Sequence, residues 1–567
     1  MTLSDPRIRT TQIVERIHVR GPRKRASEAS RGRLALTTLV FGGLFLVLGV
    51  RLLNLTISGA EPVLTAAVAP VVPGRAQILD RNGKILATDL RTASVYADAR
   101  AITDPVTTAA AIAKVLPGLD QAALAKKLNS QRAFVWIARG LSPKQHNTVH
   151  NLGLAGIGFR DEPQRIYPNG MEAAHVVGYV DLDNRGIAGM ERTLEGKLQA
   201  EKEPVRLSLD LRVQHIVEEE LLGAMTRFSA TAASGVVLNV ETGEVLALAS
   251  LPSFDPNKPG QASQDALFNR ATLGVYELGS IFKVITTAHA LDSGLVQISD
   301  SFDTAAPIHE AGFTINDFHG VKRSLSVPEI FMRSSNIGTV RMMMQAGEGT
   351  HRQLFAKLGL LNRLDGELPE RGMPLAPSRW ERITAMTTSY GHGIAVSPLH
   401  YAVAAASLVN GGHRVHPTFL PVSADAKVMG ERVISETTSE YMRALMRLVV
   451  THGTGNNANV IGYDVGGKTG TAEKPGAQGG YQDQALISSF VAIFPATQPR
   501  YLIFVLIDEP HATKETYGFA TAGWTAAPSA GRIIERIGPI LGVTPARGTD
   551  GPSESSIIQY VSFQGAE

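Results

Sequence analysis

A serine and a lysine three residues apart, Ser280 and Lys283 in the run Gly279-Ser280-Ile281-Phe282-Lys283, are the residues of this chain best placed for covalent chemistry. A serine hydroxyl is a poor nucleophile at neutral pH. A lysine one helical turn away can take its proton, provided that the amine is neutral. That demands a lysine whose pKa is lowered by burial or by a second cation. The apolar residues Val284, Ile285, Ala288 and Leu291 predict a helix carrying both side chains on one face. The same five residues also fit an ordinary helix start capped by Ser280, so the reading turns on what else the chain supplies.

Two further motifs follow in order. Ser334-Ser335-Asn336 stands 54 residues after Ser280, behind a helical stretch from Pro328 to Met332, and offers a hydroxyl and an amide to the same cleft. Gly466-Gly467-Lys468-Thr469-Gly470-Thr471 follows the strand-like Val460-Ile461-Gly462-Tyr463, and its small residues permit close approach of another backbone. Lys468 would add a fixed cation that holds down the pKa of Lys283 and attracts a substrate carboxylate, with Thr469 and Thr471 as hydroxyl donors. A phosphate-binding loop is the competing reading of a glycine-flanked lysine, but Tyr463 stands where its first glycine is needed.

The elements that must position these groups form an α+β pattern. Asp210 caps an amphipathic helix through Val213, Ile216, Val217, Leu221 and Met225. Residues 235–240 and 244–250 read as a hairpin apolar enough to be central in a sheet, and further strands come only at about 460–472, 486–494 and 500–508. A sheet whose strands come from both ends of a domain, with a long helical insertion holding Ser280 and a closing helix near 525–540, lets the site sit between sheet and helices. Upstream, residues 58–203 read as short strands and turns. A hairpin is expected around Asp80-Arg81-Asn82-Gly83-Lys84, a helix over 109–128, a strand at 134–137, and an extended stretch from Arg165 to about Gly178. No nucleophile and base share a recognisable spacing there, and His175 and Glu191 read as structural polar groups, so this region is a spacer and interaction module.

Charge and hydropathy add a membrane anchor. Residues 1–33 hold nine Lys/Arg against three acids, a charge of +6, so the rest of the chain, whose total is +3, carries −3. A near-neutral body with one basic tail argues against a nucleic-acid-binding surface and for an orientation signal. Seventeen uncharged residues from Leu34 to Val50, extended past Arg51 to Ile57, would span about 25 to 36 Å as a helix. The basic flank predicts a cytoplasmic N-terminus. A cleaved signal peptide is the rival reading, but Ala67-Val68-Ala69 lies too far from the apolar core. The chain has no cysteine, which removes thiol catalysis, thiolate metal sites and disulfides. The Pro, Gly and Ser content of residues 541–567 predicts a disordered tail.

The ordered S-x-x-K, S-x-N and K-T-G set resembles that of the penicillin-binding proteins and class A β-lactamases. Tyr276-Glu277-Leu278-Gly279-Ser280, Ser389-Tyr390-Gly391-His392-Gly393, Gly453-Thr454-Gly455 and Gly467 to Glu473 extend the likeness, as do Asp80-Arg81-Asn82-Gly83 through Ala87, Arg165-Ile166-Tyr167-Pro168 and Gly189-Met190-Glu191. Leu278 stands where a proline is common, and Ala76 replaces a customary glycine. Over residues 75 to 540 the resemblance is to the class B penicillin-binding proteins, membrane-anchored monofunctional peptidoglycan D,D-transpeptidases. It implies a transpeptidase domain of serine β-lactamase-like α+β fold, an antiparallel sheet with helices on both sides and a helical insertion, over 204–540. A mainly β or mixed periplasmic pedestal over 58–203 and one transmembrane helix over 34–57 would precede it. The catalytic domain would be periplasmic, on the bacterial inner membrane.

The resemblance also implies the roles. Ser280 would attack the penultimate D-alanine carbonyl of a donor stem peptide, and the amine of a neighbouring stem would resolve the acyl-enzyme into a cross-link. Lys283 would be the base, Ser334 a proton relay and Asn336 a donor-amide ligand. Lys468, Thr469, Gly470 and Thr471 would hold the terminal carboxylate, or that of a β-lactam, with an oxyanion hole at the backbone N–H groups of Ser280 and Thr471. No cofactor or metal is called for. The expected partners are stem peptides, β-lactams, the membrane, a polytopic peptidoglycan glycosyltransferase and other division proteins. A pedestal of about 145 residues favours the septal over the side-wall subgroup. A D,D-carboxypeptidase, a β-lactamase and a β-lactam sensor remain as other members of the same chemistry.

Overall fold

A computed structural model describes residues 22–57, 74–201, 203–423, 430–476, 480–545 and 552–562. The chain divides into two units, residues 1–72 and 73–567. The first contains a single described helix, α1 (Pro22–Ile57), whose segment Ala35–Leu53 is long and apolar enough to cross a membrane, with a mean hydropathy of 2.1. The helix begins inside the basic tail, twelve residues before the expected span.

In the second unit, an N-terminal sheet is built on β1 (Ile78–Leu79) and the long β2 (Ile85–Ala97). The Asp80 carboxylate accepts from the backbone N–H groups of Asn82 and Lys84, each at 2.8 Å, and fixes the turn between them. Helices α2 (Pro105–Val115) and α3 (Gln121–Leu128) stand where one helix is expected from sequence. Pro117-Gly118 breaks it, since proline has no N–H and glycine there takes φ +106°. Asp104 and Asp120 cap the two pieces. Next come β3 (Val135–Leu141), α4 (Pro143–His150) and β4 (Ile157–Ile166). Strands β3 and β4 both pair antiparallel with β2, and the helices bury Ile112, Leu124 and Val149 against Val95, Ala97 and Ile137. Arg165 and Ile166 thus end a strand instead of opening an extended stretch; the chain then turns into a short helix, Ala174–Val177. Strand β5 (Val205–Arg206) runs parallel to β1, so the N-terminal sheet takes in two residues beyond the expected boundary at 203.

A buried ion cluster ties this region together. Glu191 accepts from Arg75 Nη2 at 2.8 Å and from Arg165 Nε at 2.6 Å, and Arg165 Nη1 also reaches Asp89 at 3.0 Å. The Glu191 and Arg165 side chains are wholly inaccessible, so each charge depends on the others for its solvation. His175 is buried and bonds the Ala266 carbonyl through Nε2, a structural role like that of Glu191.

The larger, C-terminal part begins with α5 (Leu211–Arg227), capped by Asp210. Strands β6 (Ala232–Asn239) and β7 (Val245–Leu251) form the expected hairpin. The insertion contributes α6 (Lys283–Asp292), α7 (Val327–Arg333), α8 (Asn336–Ala346), α9 (Pro398–Val409) and α10 (Glu436–His452). Then β8 (Gly466–Pro475), β9 (Tyr481–Phe494) and β10 (Tyr501–Asp508) close the sheet in the order β8-β9-β10-β6-β7, every pair antiparallel. Helices α5 and α11 (Ala526–Ile540) bury Val213, Leu221, Ile533 and Ile537 on one face. On the other face the insertion helices pack over Val236, Phe504 and Leu506. The α+β arrangement read from sequence is therefore the observed one.

The C-terminal tail departs from expectation. Helix α12 (Pro552–Ile558) buries Ile557, Ser326 Oγ donates to the Tyr560 carbonyl at 2.6 Å, and Ser562 N donates to Glu329 Oε1 at 3.2 Å. Three apolar residues, Ile557, Tyr560 and Val561, supply docking energy that average composition hides.

Glu191→Ala would leave two buried guanidiniums without their shared carboxylate, at a cost of about 3–5 kcal/mol. Denaturant unfolding of the full chain should show that loss, and a change below about 1 kcal/mol would mean the cluster is solvated after all.

Candidate active site

Ser280 lies in a 3-10 turn, Gly279–Phe282, and Lys283 opens α6 directly after it. In a 3-10 turn residues i and i+3 eclipse, so the tighter winding aligns Ser280 and Lys283 along the axis better than an α-turn would. Gly279 enters the turn at φ +59°, and a Cβ on it would lie 2.6 Å from the Thr471 carbonyl oxygen. Gly470 is pressed against Leu278 O, at 2.4 Å from where its Cβ would stand, and Gly391 against Gly279 O at 2.1 Å. Three glycines thus let the Ser280 turn, strand β8 and the 389–391 loop meet backbone to backbone. Tyr401, fully buried, donates its hydroxyl to Ile281 O at 2.5 Å and pins the turn from below.

Ser334 is the hub. It caps α7 in the left-handed region, φ +62° and ψ 41°, a strained conformation for a residue with a side chain. Its Oγ lies 3.1 Å from Lys283 Nζ and 2.9 Å from Lys468 Nζ. Lys283 also donates to the Ser334 carbonyl at 2.5 Å, and Lys468 to the Thr469 carbonyl at 3.1 Å. Both lysines are fully buried. Burial lowers Lys283 to about 7, against the pull of the Asp317 carboxylate. Burial, and next the charge of Lys283, push Lys468 well below its ordinary value. This differs from the expected order, in which Lys468 depresses Lys283: desolvation does most of the work on both amines, and Asp317 favours the proton on Lys283.

The hydrogen bonds set the proton count. A single hydroxyl shared by two amines can accept from one and donate to the other, so the arrangement is satisfied when one lysine is an ammonium and the other a neutral amine.

Asn336, at the first residue of α8, donates from Nδ2 to Asn316 O at 2.9 Å. Its helix is seated by Asp317, whose carboxylate accepts from Ser335 Oγ at 2.6 Å, Asn336 N at 2.5 Å and Ile337 N at 3.0 Å. On β8, Thr469 Oγ1 is bonded to Thr454 Oγ1 at 2.6 Å, and Thr471 Oγ1 accepts from Ala522 N at 3.1 Å. Strand β8 is the edge of the sheet, so one of its sides carries no strand partner. At the rim, Glu277 accepts from Gly393 N at 3.1 Å and Tyr481 OH at 3.2 Å, with His392 stacked on Tyr481.

The structure therefore brings Lys283, Ser334 and Lys468 into direct contact, sets Ser280 one tight turn before Lys283, and lays Gly470 and Thr471 against that turn. Asn336 is tied to Asn316, not to the lysines. Asp317 was invisible to sequence reasoning, because nothing in Asn316-Asp317 announces a carboxylate aimed at a helix 20 residues on. Thr454 lay in a recognised block without a role. Among the described residues no group of three metal-ligating side chains occurs.

Two family models match the chain: the penicillin-binding protein transpeptidase domain over residues 233–530 and the penicillin-binding protein dimerisation domain over 70–220. A probable peptidoglycan D,D-transpeptidase FtsI from Caulobacter vibrioides is 42% identical over 83% of this chain and 82% of its own. The peptidoglycan D,D-transpeptidase FtsI of Escherichia coli is 30% identical over 87% and 88%. Penicillin binding protein 3 of Mycobacterium tuberculosis, solved with ampicillin, superposes with a TM-score of 0.67 at 25% identity, covering 85% of this chain and 98% of that one.

If Lys283 is the base, only its neutral form is active, and the neutral fraction rises with pH. With its pKa at about 7, acylation of Ser280 by an activated acyl donor should plateau above neutrality and fall about tenfold per pH unit below it. Stopped-flow rates between pH 5 and 9 test this; a profile still climbing at pH 9 would mean that the amine keeps an ordinary lysine pKa.

Proposed function

This chain belongs to the class B penicillin-binding proteins and is a peptidoglycan D,D-transpeptidase, and from that premise we propose that it cross-links stem peptides through an acyl-enzyme on Ser280 at the division septum. The observation that carries the residue assignment is the Ser334 hydroxyl held between two buried amines. The donor stem lies along β8 as an added strand, its terminal carboxylate against Lys468, Thr469 and Thr471. That carboxylate draws the shared proton onto Lys468, and Lys283 is left as the neutral amine.

Lys283 takes the Ser280 proton while Oγ bonds to the penultimate D-alanine carbonyl carbon. The oxyanion is held by the backbone N–H groups of Ser280 and Thr471, each such donor typically worth about 10²–10³ in rate. As the intermediate collapses, the C–N bond to the terminal D-alanine breaks, and the proton passes from Lys283 through Ser334 to the leaving amine. Asn336 turns from Asn316 to the donor amide. The acceptor amine then attacks the ester, gives its proton to the same relay, and Ser280 leaves with a proton from Lys283.

Helix α1 anchors the protein in the cytoplasmic membrane with the basic end inside, residues 58–203 are the pedestal and residues 204–540 the catalytic domain. The identity to FtsI transpeptidases supports the septal role. A polytopic glycosyltransferase is the partner that supplies strands to cross-link, and Gly42, Gly43 and Gly49 leave α1 a surface for close helix contact.

Fluorescent penicillin should label Ser280 alone, and Ser280→Ala should fold and stay dark; an adduct on Ser334 would refute the assignment. Lys283→Arg should abolish acylation, because a guanidinium cannot accept the proton. Lys468→Arg should keep part of it, so equal losses would show that the division of labour is wrong. Depletion should give filamentous or branched cells; rounded cells that still divide would move the enzyme to the side wall and leave its chemistry in place.

A further inference from the structure

Further along α6 than Lys283 stands a polar pair that the mechanism does not use. Thr286, one turn after Lys283, and His351 are both fully inaccessible. Thr286 Oγ1 donates to the Ser389 carbonyl at 2.7 Å and lies 3.0 Å from His351 Nε2. The hydroxyl proton is committed to Ser389, so the imidazole must donate: His351 is the neutral tautomer with its proton on Nε2. Its Nδ1 is left buried without a partner. Burial holds the imidazole far below the ordinary histidine range, which keeps it neutral throughout the working pH.

Ser389 is two residues from Gly391, the glycine pressed against Gly279 O. The 389–391 segment is therefore a wedge between α6 and the turn that presents Ser280. Its inner end is fixed by Ser389 O, its outer end by the Gly391–Gly279 contact. Burying an imidazole with one nitrogen unsatisfied carries a penalty that an apolar residue of similar size would avoid. A position held at such a penalty is accounted for by the hydrogen bond it makes.

We propose that Thr286 and His351 are positioning residues for acylation, a relay of two hydrogen bonds that holds the 389–391 wedge and through it the height of Ser280 in the cleft. The proposal rests on Ser280 being the nucleophile. Neither residue touches substrate. Their effect falls on the rate of the covalent step and leaves initial binding alone, since the carboxylate site on Lys468, Thr469 and Thr471 belongs to β8. A nucleophile displaced by a fraction of an ångström loses about tenfold or more in rate.

The test uses the full chain and a fluorescent penicillin, with the acylation rate constant and the half-saturating concentration measured separately. Thr286→Val, isosteric but without the hydroxyl, and His351→Leu should each lower the rate constant about tenfold with the half-saturating concentration unchanged. Thr286→Ser and His351→Gln, which restore the donor, should recover most of it. The pH profile of His351→Gln should match that of the wild type, because the imidazole never carries the proton being moved. A Thr286→Val enzyme as fast as wild type, a Thr286→Ser enzyme as slow as Thr286→Val, or a shifted pH profile in His351→Gln would each overturn the proposal. If Thr286→Val and His351→Leu fail to fold, Thr286→Ser and His351→Gln decide it, since a loss in both despite intact donors contradicts a hydrogen-bond role. Mapping the adduct in the wild type separates the outcomes: labelling at another residue refutes the nucleophile, whereas labelling at Ser280 with unaltered rates in the variants refutes only the wedge.

Discussion

Two buried amines sharing one hydroxyl is the constraint on which the rest of the catalytic half depends. The Nζ atoms of Lys283 and Lys468 share Ser334 Oγ, so they lie within about 6 Å of each other, where two full charges would repel by roughly 3 kcal/mol at an effective dielectric constant of 20. Neither amine reaches water, and burial, more than this repulsion, disfavours the charged form of both. The geometry brings an ordinary amine down to about 7, so that its neutral form is available at neutral pH. It also requires that α6, the α7–α8 junction and β8, which lie far apart in the chain, pack to within a hydrogen bond of one another.

Close packing of three segments leaves no room for side chains at their crossings. Gly279, Gly391 and Gly470 occupy those crossings, and each would place a Cβ under 3 Å from a neighbouring backbone oxygen. The strain that remains is concentrated at Ser334, held in the left-handed region by the end of α7 and the start of α8. An αL residue with a side chain persists only where its surroundings over-determine it. Here they do: both its carbonyl and its hydroxyl are taken by Lys283, and its hydroxyl again by Lys468. The strained backbone aims the hydroxyl, and the hydroxyl's partners hold the backbone.

How much of this was legible in the sequence follows from the range of each interaction. The Ser280–Lys283 pair is local, and the strands announce themselves as apolar runs bounded by turn residues, so the spacing of that pair and the strands of the catalytic sheet could be read directly, whereas the order of the strands could not. The break at Pro117-Gly118 was also written in the chain, and the apolar continuity on either side masked it. Asp317 under α8, Thr454 behind Thr469 and His351 behind Thr286 are polar residues of common type whose partners are chosen by tertiary packing. No spacing rule identifies them. The tail misled for another reason: composition averages over 27 residues, whereas docking needs only Ile557, Tyr560 and Val561 in register with a groove.

The edge position of β8 separates two kinds of recognition. Pairing along a strand edge uses backbone groups, is indifferent to side chains, and so accepts a peptide for its extended shape. Lys468, wholly buried and held well below the ordinary lysine range by burial and by the charge of Lys283, adds the opposite demand: a carboxylate beside it would favour its charged form. With the donor laid along β8 as proposed, the site would be permissive along the peptide and strict at its end. A small acylating molecule with an amide to lay along β8 and one carboxylate at the right distance from its reactive carbonyl meets both demands at once. Under the proposed mechanism it would also move the shared proton onto Lys468 and leave Lys283 neutral, so the carboxylate that secures binding would be the group that frees the base.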